Sequence, residues 1–200
     1  MARIRIGLAP VALIIMLALG GCSVSGDKAY TFQTGEVSPA DPAPALNLTD
    51  QNGNAFSLAD QKGKVVLLYF GYTTCPDVCP ATLSDWTEVK KNLGDDADQV
   101  EFVMVTVDPD RDTSAKLAQY LSFFDPTFIG LTGTQSEISN AESDFGVTAI
   151  RQDAPDSAAG YLMNHTTSYW AIDTDGNKRL LIAHGTDPEI IAEDVKHLLK

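Results

Sequence analysis

Two apolar runs of strand length constrain the fold of this chain more than any other feature. Residues 64–70 read KVVLLYF and residues 100–108 read VEFVMVTVD. A strand that is apolar at consecutive positions is typical of the interior of a sheet covered on both faces. Between the two runs, residues 80–94 carry apolar side chains at helical spacing and end on a glycine, which predicts a helix. Strand, helix and strand in this order favour an α/β fold.

The remaining patterns continue the alternation of strands and helices. Thr113 is suited to cap a helix at 114–124, and Thr134 with Glu137 has the spacing of a capping box. The other predicted elements are a strand near 128–131, a strand at 147–152, a hairpin around the turn at 173–177 and a helix that begins at 187. We therefore predict an α/β sandwich with a central mixed sheet flanked by helices, in the order of a thioredoxin-like fold.

The N-terminus has the layout of a lipoprotein-type signal peptide over residues 1–21. Arg3 and Arg5 precede an apolar stretch that is shorter than the roughly 20 residues of a membrane-spanning helix. The stretch ends in LGGC, which resembles a bacterial lipobox. We therefore predict that Cys22 is lipidated and anchors the protein to a membrane. An uncleaved membrane anchor is the alternative.

Residues 22–45 are polar and dotted with proline, which predicts a lipidated N-terminus and a flexible tether ahead of a domain at 46–200. This organisation places the domain at the extracytoplasmic, periplasmic face of the cell envelope. The chain has a net charge of −13, with 27 acidic residues against 14 Lys and Arg. Because such a surface repels phosphate backbones, we expect no nucleic-acid partner.

Cys75 and Cys79 are the two cysteines within the domain. They lie in a loop between the first apolar strand and the predicted helix, where free backbone N–H groups and the helix dipole favour thiolates. Thioredoxin-type exchange commonly uses two intervening residues, whereas this loop has three. Peroxide reduction needs one activated cysteine, for which Thr74 and Arg111 are candidate helpers. Metal binding needs soft ligands that can converge on one point.

Two thiolates favour a soft ion, chiefly Cu(I), with Zn(II) as a competitor. A closed zinc site needs four Cys or His ligands, and four cannot be assembled from this chain. His197 lies near the end of the last helix and His184 ends a hairpin strand, positions that suit ordinary structural roles. His165 precedes the first hairpin strand. In a thioredoxin-like fold that loop lies across the active edge from the N-terminus of the first helix.

At three points the domain resembles the SCO/SenC family of copper-handling proteins. YFGYTTCPDVCP at 69–80 matches the family's cysteine signature, VTVDPDRDT at 105–113 matches its DPxRDT segment, and a histidine follows both. The resemblance implies that Cys75, Cys79 and His165 bind one copper ion per monomer, as Cu(I) or Cu(II). It further implies a metallochaperone that delivers copper to the CuA centre of cytochrome c oxidase, or that reduces the thiols of that centre so that it can load.

The implied partners are the CuA-bearing oxidase subunit and another copper carrier. By analogy with the family, Asp108 either supports one of the copper ligands through a hydrogen bond or contacts the partner protein. A metal carrier is not an enzyme, but a thiol–disulfide oxidoreductase acting on oxidase cysteines is the main alternative. A thiol peroxidase and a structural Cys75–Cys79 disulfide are further hypotheses, although so short a disulfide loop would gain little entropy.

Overall fold

The structure, a computed structural model, describes residues 30–200, and that part of the chain contains ten strands and four α-helices. The strands are β1 (Gly35–Pro42), β2 (Asn47–Asp50), β3 (Ala55–Ser57), β4 (Val65–Gly71), β5 (Val100–Thr106), β6 (Ile129–Thr132), β7 (Ala149–Ala154), β8 (Gly160–His165), β9 (Tyr169–Ile172) and β10 (Asn177–Ile182). The helices are α1 (Val78–Leu93), α2 (Ser114–Leu121), α3 (Gln135–Asp144) and α4 (Pro188–Leu198). The predicted signal peptide at 1–21 and the predicted lipidation site Cys22 lie outside the described residues. From residue 30 onward, no helix combines the length and the apolar character that crossing a membrane requires.

Eight of these strands form one mixed sheet, in the order β1-β10-β9-β4-β5-β6-β2-β3. β5 runs parallel to both β4 and β6, while β9 runs antiparallel to β4. The two apolar runs are β4 and β5, and they lie at the middle of the sheet, as expected of strands buried on both faces. β7 and β8 form a separate antiparallel pair. The predicted α/β fold, with a central mixed sheet and flanking helices, is confirmed.

One face of α1 is buried in the core. Trp86 packs among aromatic side chains of the sheet, with ring centroids 6.2 Å from Tyr69, 5.5 Å from Phe102 and 5.6 Å from Tyr169. Full burial of a large apolar side chain contributes about 1.5–3 kcal/mol. These contacts therefore fix α1, and with it the N-terminal turn of the helix, against the sheet. The buried positions of α1 are Cys79, Thr82, Leu83, Trp86, Val89 and Leu93.

Three predicted helix starts are confirmed by their caps. The Thr113 hydroxyl accepts a bond from the backbone N–H three residues ahead of it. Thr134 and Glu137 form both bonds of a capping box. The Asp187 carboxylate accepts the N–H two residues ahead, and a proline occupies the first turn that follows. Short-range hydrogen bonding of this kind depends only on neighbouring residues, so the sequence pattern is sufficient to predict it.

The prediction of a flexible tether through residue 45 is wrong for the residues of β1, which pair with β10 at the sheet edge. Just before β1, the backbone N–H groups of Gln33 and Thr34 donate to the Asp194 carboxylate over 2.9–3.1 Å. The Tyr30 hydroxyl donates to the same carboxylate over 2.7 Å. Asp194 is fully buried in α4. The folded domain therefore includes the chain from Tyr30 onward rather than from residue 46.

The segments that carry two of the predicted site residues also differ from expectation. α1 begins at Val78, so Cys79 lies in the first turn of the helix and not in the loop before it. Pro80 is tolerated there because the first N–H groups of a helix have no intrahelical partner to lose. His165 is the last residue of β8, a strand that the sequence pattern does not predict.

Candidate metal centre

The structure brings Cys75, Cys79 and His165 together from three separate elements. Cys75 lies in the loop between β4 and α1, Cys79 in the first turn of α1, and His165 at the end of β8. Their ligand atoms all lie within 4.8 Å of one another. Cys79 Sγ lies 3.4 Å from His165 Nε2. Two sulfurs and one imidazole nitrogen can therefore converge on a single ion.

A buried carboxylate anchors the loop that holds Cys75. The backbone N–H of Thr73 donates to Asp112 Oδ2 over 2.9 Å, and the Thr73 hydroxyl donates to Oδ1 over 2.5 Å. The Thr106 hydroxyl, at the end of β5, donates to Oδ2 over 2.8 Å. Asp112 is fully buried. These bonds tie the loop to the end of the neighbouring strand and fix its backbone two residues before Cys75.

The two sulfurs differ in environment. Cys79 belongs to the buried face of α1 and is fully buried, whereas Cys75 is half-buried. Cys79 Sγ accepts a hydrogen bond from the Tyr69 hydroxyl over 3.4 Å. Cys75 Sγ accepts one from the backbone N–H of Cys79, also over 3.4 Å. One thiol thus lies inside the core and the other at its boundary.

The proton of the pair resides on Cys79. A hydrogen bond from the Cys79 side chain lowers the pKa of Cys75 to about 3 against the opposing effect of burial, and hydrogen bonds from the backbone N–H groups of Asp77 and Cys79 act in the same direction as the Cys79 side chain. The bond to Cys75, together with burial, raises the pKa of Cys79 above the usual thiol range. Cys75 is therefore a thiolate at neutral pH, and Cys79 must lose a proton when both sulfurs bind a metal.

His165 has the tautomer that suits ligation through Nε2. Its Nδ1 lies 2.8 Å from the backbone carbonyl oxygen of Thr166, which can only accept a hydrogen bond. Nδ1 therefore carries the proton and the Nε2 lone pair faces Cys79. The rings of Tyr69 and Tyr72 lie edge-on to the imidazole, with centroids 5.9 and 5.7 Å away. These contacts hold the ring in the plane that points Nε2 at the sulfur.

A cavity of about 240 Å³ opens on the Cys75 side of the centre. Cys75 and His165 line it, together with Tyr72 and Met163, whereas the buried Cys79 does not. An incoming ligand from another protein can therefore reach an ion held between Cys75 and His165. This open side distinguishes the site from a closed structural metal site, in which protein ligands surround the ion.

Arg111 fastens the hairpin of β7 and β8 to the domain. Its Nη1 donates to the carbonyl oxygens of Ala159 and Tyr161, each over 3.0 Å, and its guanidinium lies 3.6 Å from the centre of the Tyr161 ring. Arg111 also forms an ion pair with Asp108, which in turn accepts a 2.8 Å bond from the Tyr161 hydroxyl. Asp108 thus contacts the strand that carries His165, although it is not one of the three converging residues.

The other two histidines are used elsewhere in the described chain. His184 Nδ1 lies 3.2 Å from the Thr82 hydroxyl, and His197 stacks on Tyr30 with ring centroids 4.0 Å apart.

Two contacts of the centre were not predicted from the sequence. They are the hydrogen bond from the Tyr69 hydroxyl to Cys79 and the contacts of Arg111 with Tyr161. Both are side-chain contacts between residues that are distant in sequence, and no local pattern indicates them.

Comparisons with known proteins agree with this geometry. The family model described as SCO1/SenC matches residues 36–200. An SCO2-like protein of Rickettsia felis is 36% identical over 151 residues, which cover 76% of this chain and 74% of that protein. The structure of Bradyrhizobium japonicum ScoI with copper bound is 39% identical, with a TM-score of 0.72, and the match covers 78% of this chain and 99% of that chain.

A third likeness concerns the fold alone. BsSco, described as a member of the Sco family of cytochrome c oxidase assembly proteins with a disulfide switch, is 24% identical with a TM-score of 0.64. The match covers 83% of this chain and 98% of that one.

Proposed function

Since the chain belongs to the SCO1/SenC family, we propose that it is a copper metallochaperone for cytochrome c oxidase assembly and that it carries one ion on Cys75, Cys79 and His165. The observation that carries this proposal is the convergence of two sulfurs and one correctly oriented imidazole nitrogen. Copper is the cargo of such a protein rather than a resident cofactor. The copper-bound relative at 39% identity supports the choice of metal.

The charges of the ligand set suit both oxidation states of copper. Two thiolates and a neutral imidazole carry a charge of −2, so the site would be −1 with Cu(I) and neutral with Cu(II). Thiolates select Cu(I), and imidazole also suits Cu(II). With three ligands and an open cavity beside Cys75, the ion can be passed through intermediates that share ligands with a partner. We propose the CuA-bearing oxidase subunit as the recipient and a second copper carrier as the donor.

Asp108 completes the proposed centre indirectly. Its bonds to Arg111 and Tyr161 hold the strand that ends in His165. We propose that it positions the imidazole in this way. Its carboxylate is buried and engaged within the domain, which favours this role over docking a partner.

Thiol–disulfide exchange with oxidase cysteines is the second candidate function. The observation that favours it is a thiolate at Cys75 beside a thiol at Cys79, because attack by a thiolate begins every such exchange. The peroxidase alternative gains no support, since Arg111 is engaged by Asp108 and by the hairpin.

Copper titration of the reduced protein tests the main proposal. The parent should bind one ion per chain, and His165→Ala should weaken binding by about 100-fold or more, since even outer partners of metal ligands are worth 10–100-fold. His197→Ala is the matched control and should bind like the parent, because that ring stacks on Tyr30 and is not one of the three converging ligands. Unchanged copper affinity in His165→Ala, together with strong disulfide reductase activity, would establish the second candidate instead.

We further propose that Cys22 is acylated after removal of residues 1–21 and holds the domain at the periplasmic face of a membrane. The lipobox-like LGGC and the short apolar stretch before it support this anchor. Cys22→Ser should release the protein from membranes into the soluble fraction. Retention of that variant in the membrane fraction would indicate an uncleaved apolar anchor.

A further inference from the structure

The Tyr69 hydroxyl makes an unusual contact in the centre of the core. Tyr69 and Cys79 are both fully buried, and the phenol donates its hydrogen to Cys79 Sγ over 3.4 Å. Buried tyrosine hydroxyls find a hydrogen-bond partner, and here that partner is one of the proposed copper ligands. Neither Tyr69 nor Cys79 is among the residues that line the cavity beside Cys75.

The packing around the Tyr69 ring allows the phenol to lie close to the Cys79 sulfur. The ring lies edge-on to those of Trp86 and Tyr169, with centroids 6.2 and 6.3 Å away. Two residues further along β4 is Gly71, where a Cβ atom would lie 2.6 Å from the Tyr69 ring and 3.2 Å from Cys79 Sγ. Any larger residue at Gly71 would push the ring or the sulfur aside. The glycine therefore permits the close approach of the phenol to the sulfur.

We propose that Tyr69 is a positioning residue that keeps this hydrogen bond to the Cys79 sulfur while copper is bound, so that Cys79 becomes the weaker electron donor of the two thiolates. The inference rests on the proposed copper function. A hydrogen bond to a ligating thiolate withdraws electron density from the sulfur, and such bonds raise the reduction potential of metal centres. Tyr69 would thereby favour Cu(I) and weaken one of the two Cu–S bonds ahead of transfer.

The test compares Tyr69→Phe with Tyr169→Phe in the full chain loaded with Cu(II). Both substitutions remove a phenol hydroxyl from the same aromatic cluster, but only the first removes a donor to the sulfur. In Tyr69→Phe the sulfur-to-Cu(II) charge-transfer band should move to lower energy. The ratio of Cu(I) to Cu(II) affinity should fall about fivefold, the effect of one hydrogen bond of ordinary net strength. Tyr169→Phe should match the parent in both measurements.

A fluorinated tyrosine placed at Tyr69 separates hydrogen bonding from packing. The ring shape is nearly retained, but the phenol is more acidic and a stronger donor, so the band should move to higher energy, opposite to Tyr69→Phe. Shifts in the same direction for both variants, or no shift in Tyr69→Phe, would overturn the inference while leaving copper binding intact. A parent protein that shows no charge-transfer band and binds no copper would overturn the proposed function itself, and the inference with it.

Discussion

Two substitutions of Asp112, to Ala and to Asn, test how the loop that holds Cys75 is anchored. Its fully buried carboxylate accepts three hydrogen bonds, two from Thr73 and one from Thr106. Asp112→Ala removes the acceptor of all three. The two threonine hydroxyls can rotate toward other acceptors, but the backbone N–H of Thr73 cannot. Since a hydrogen bond to a charged group contributes about 1.5–3 kcal/mol, we expect Asp112→Ala to lower the free energy of unfolding by about 3–5 kcal/mol.

Asp112→Asn should be much milder for a geometric reason. The amide oxygen can replace Oδ2, which accepts from the Thr73 N–H and the Thr106 hydroxyl. The amide nitrogen then replaces Oδ1 and donates to the Thr73 hydroxyl, which rotates to accept. All partners stay satisfied and only the charge is lost, so the expected cost is about 1–2 kcal/mol.

Urea unfolding of the reduced protein measures both variants, with an unchanged slope as evidence that the unfolded state is the same. Copper affinity should fall in the same order, because Thr73 lies two residues before Cys75. Lys116→Gln is the control: that partly exposed amine lies 3.9 Å from the carboxylate, and its removal should cost less than about 1 kcal/mol. Equal destabilisation by Ala and Asn, or a cost below about 1 kcal/mol for Ala, would refute the reasoning that these three bonds anchor the loop.

Three further predictions concern other parts of the domain. Asp194→Ala should lower the free energy of unfolding by about 2–4 kcal/mol and speed amide exchange in β1, and slow exchange there would contradict the anchoring role. Arg111→Leu should speed amide exchange in β8 and weaken copper binding, because the bonds from Arg111 to Ala159 and Tyr161 are lost. Arg111→Lys should recover only part of the copper affinity, because lysine lacks the planar fork of the guanidinium. Copper affinity equal to the parent's in the leucine variant would argue against a role of Arg111 in holding β8. Iodoacetamide should alkylate Cys75 at a rate that changes little between about pH 5 and 8, because the folded-state pKa lies far below the value near 8.5 of a free thiol. Cys79→Ala removes the S–H donor and should give a rate that rises with pH; the same rise in the parent would disprove the thiolate assignment. The lowered pKa of Cys75 also makes stability depend on pH. Below about pH 8.5 the Cys75 thiolate takes up a proton in the unfolded chain but not in the folded one. The contribution of this thiolate to the free energy of unfolding is therefore complete above that pH and declines as the pH falls.

The features predicted correctly from sequence are those that neighbouring residues determine. The apolar runs of β4 and β5 and the caps at Thr113 and Thr134 needed no knowledge of distant contacts. β1 was missed because its side chains are almost all exposed, and what holds it is backbone pairing with β10. β8 was missed for a related reason, since it pairs only with β7 and is fixed by Arg111.

The candidate site shows the same division. Cys79 could have been assigned to α1, because it continues the buried spacing of Leu83 and Trp86 one turn toward the N-terminus. The first-turn proline hid this continuity. The approach of His165 to the sulfurs joins residues 86 positions apart. The expected thioredoxin-like order and the family resemblance both pointed to His165, whereas the donor role of Tyr69 had no signal in the sequence.

The contacts of Asp194 with residues 30–34 fix the point at which the chain leaves the folded domain. That point limits how far the domain can move from the membrane to meet a recipient of copper. Tyr30 follows Cys22 by eight positions, a span that reaches at most about 28 Å when fully extended. With Cys22 acylated as proposed, the domain cannot drift farther than that from the lipid headgroups. Encounters with an oxidase subunit would then take place by lateral diffusion in a thin layer, and a client free in the bulk periplasm would be met only where it approaches the bilayer.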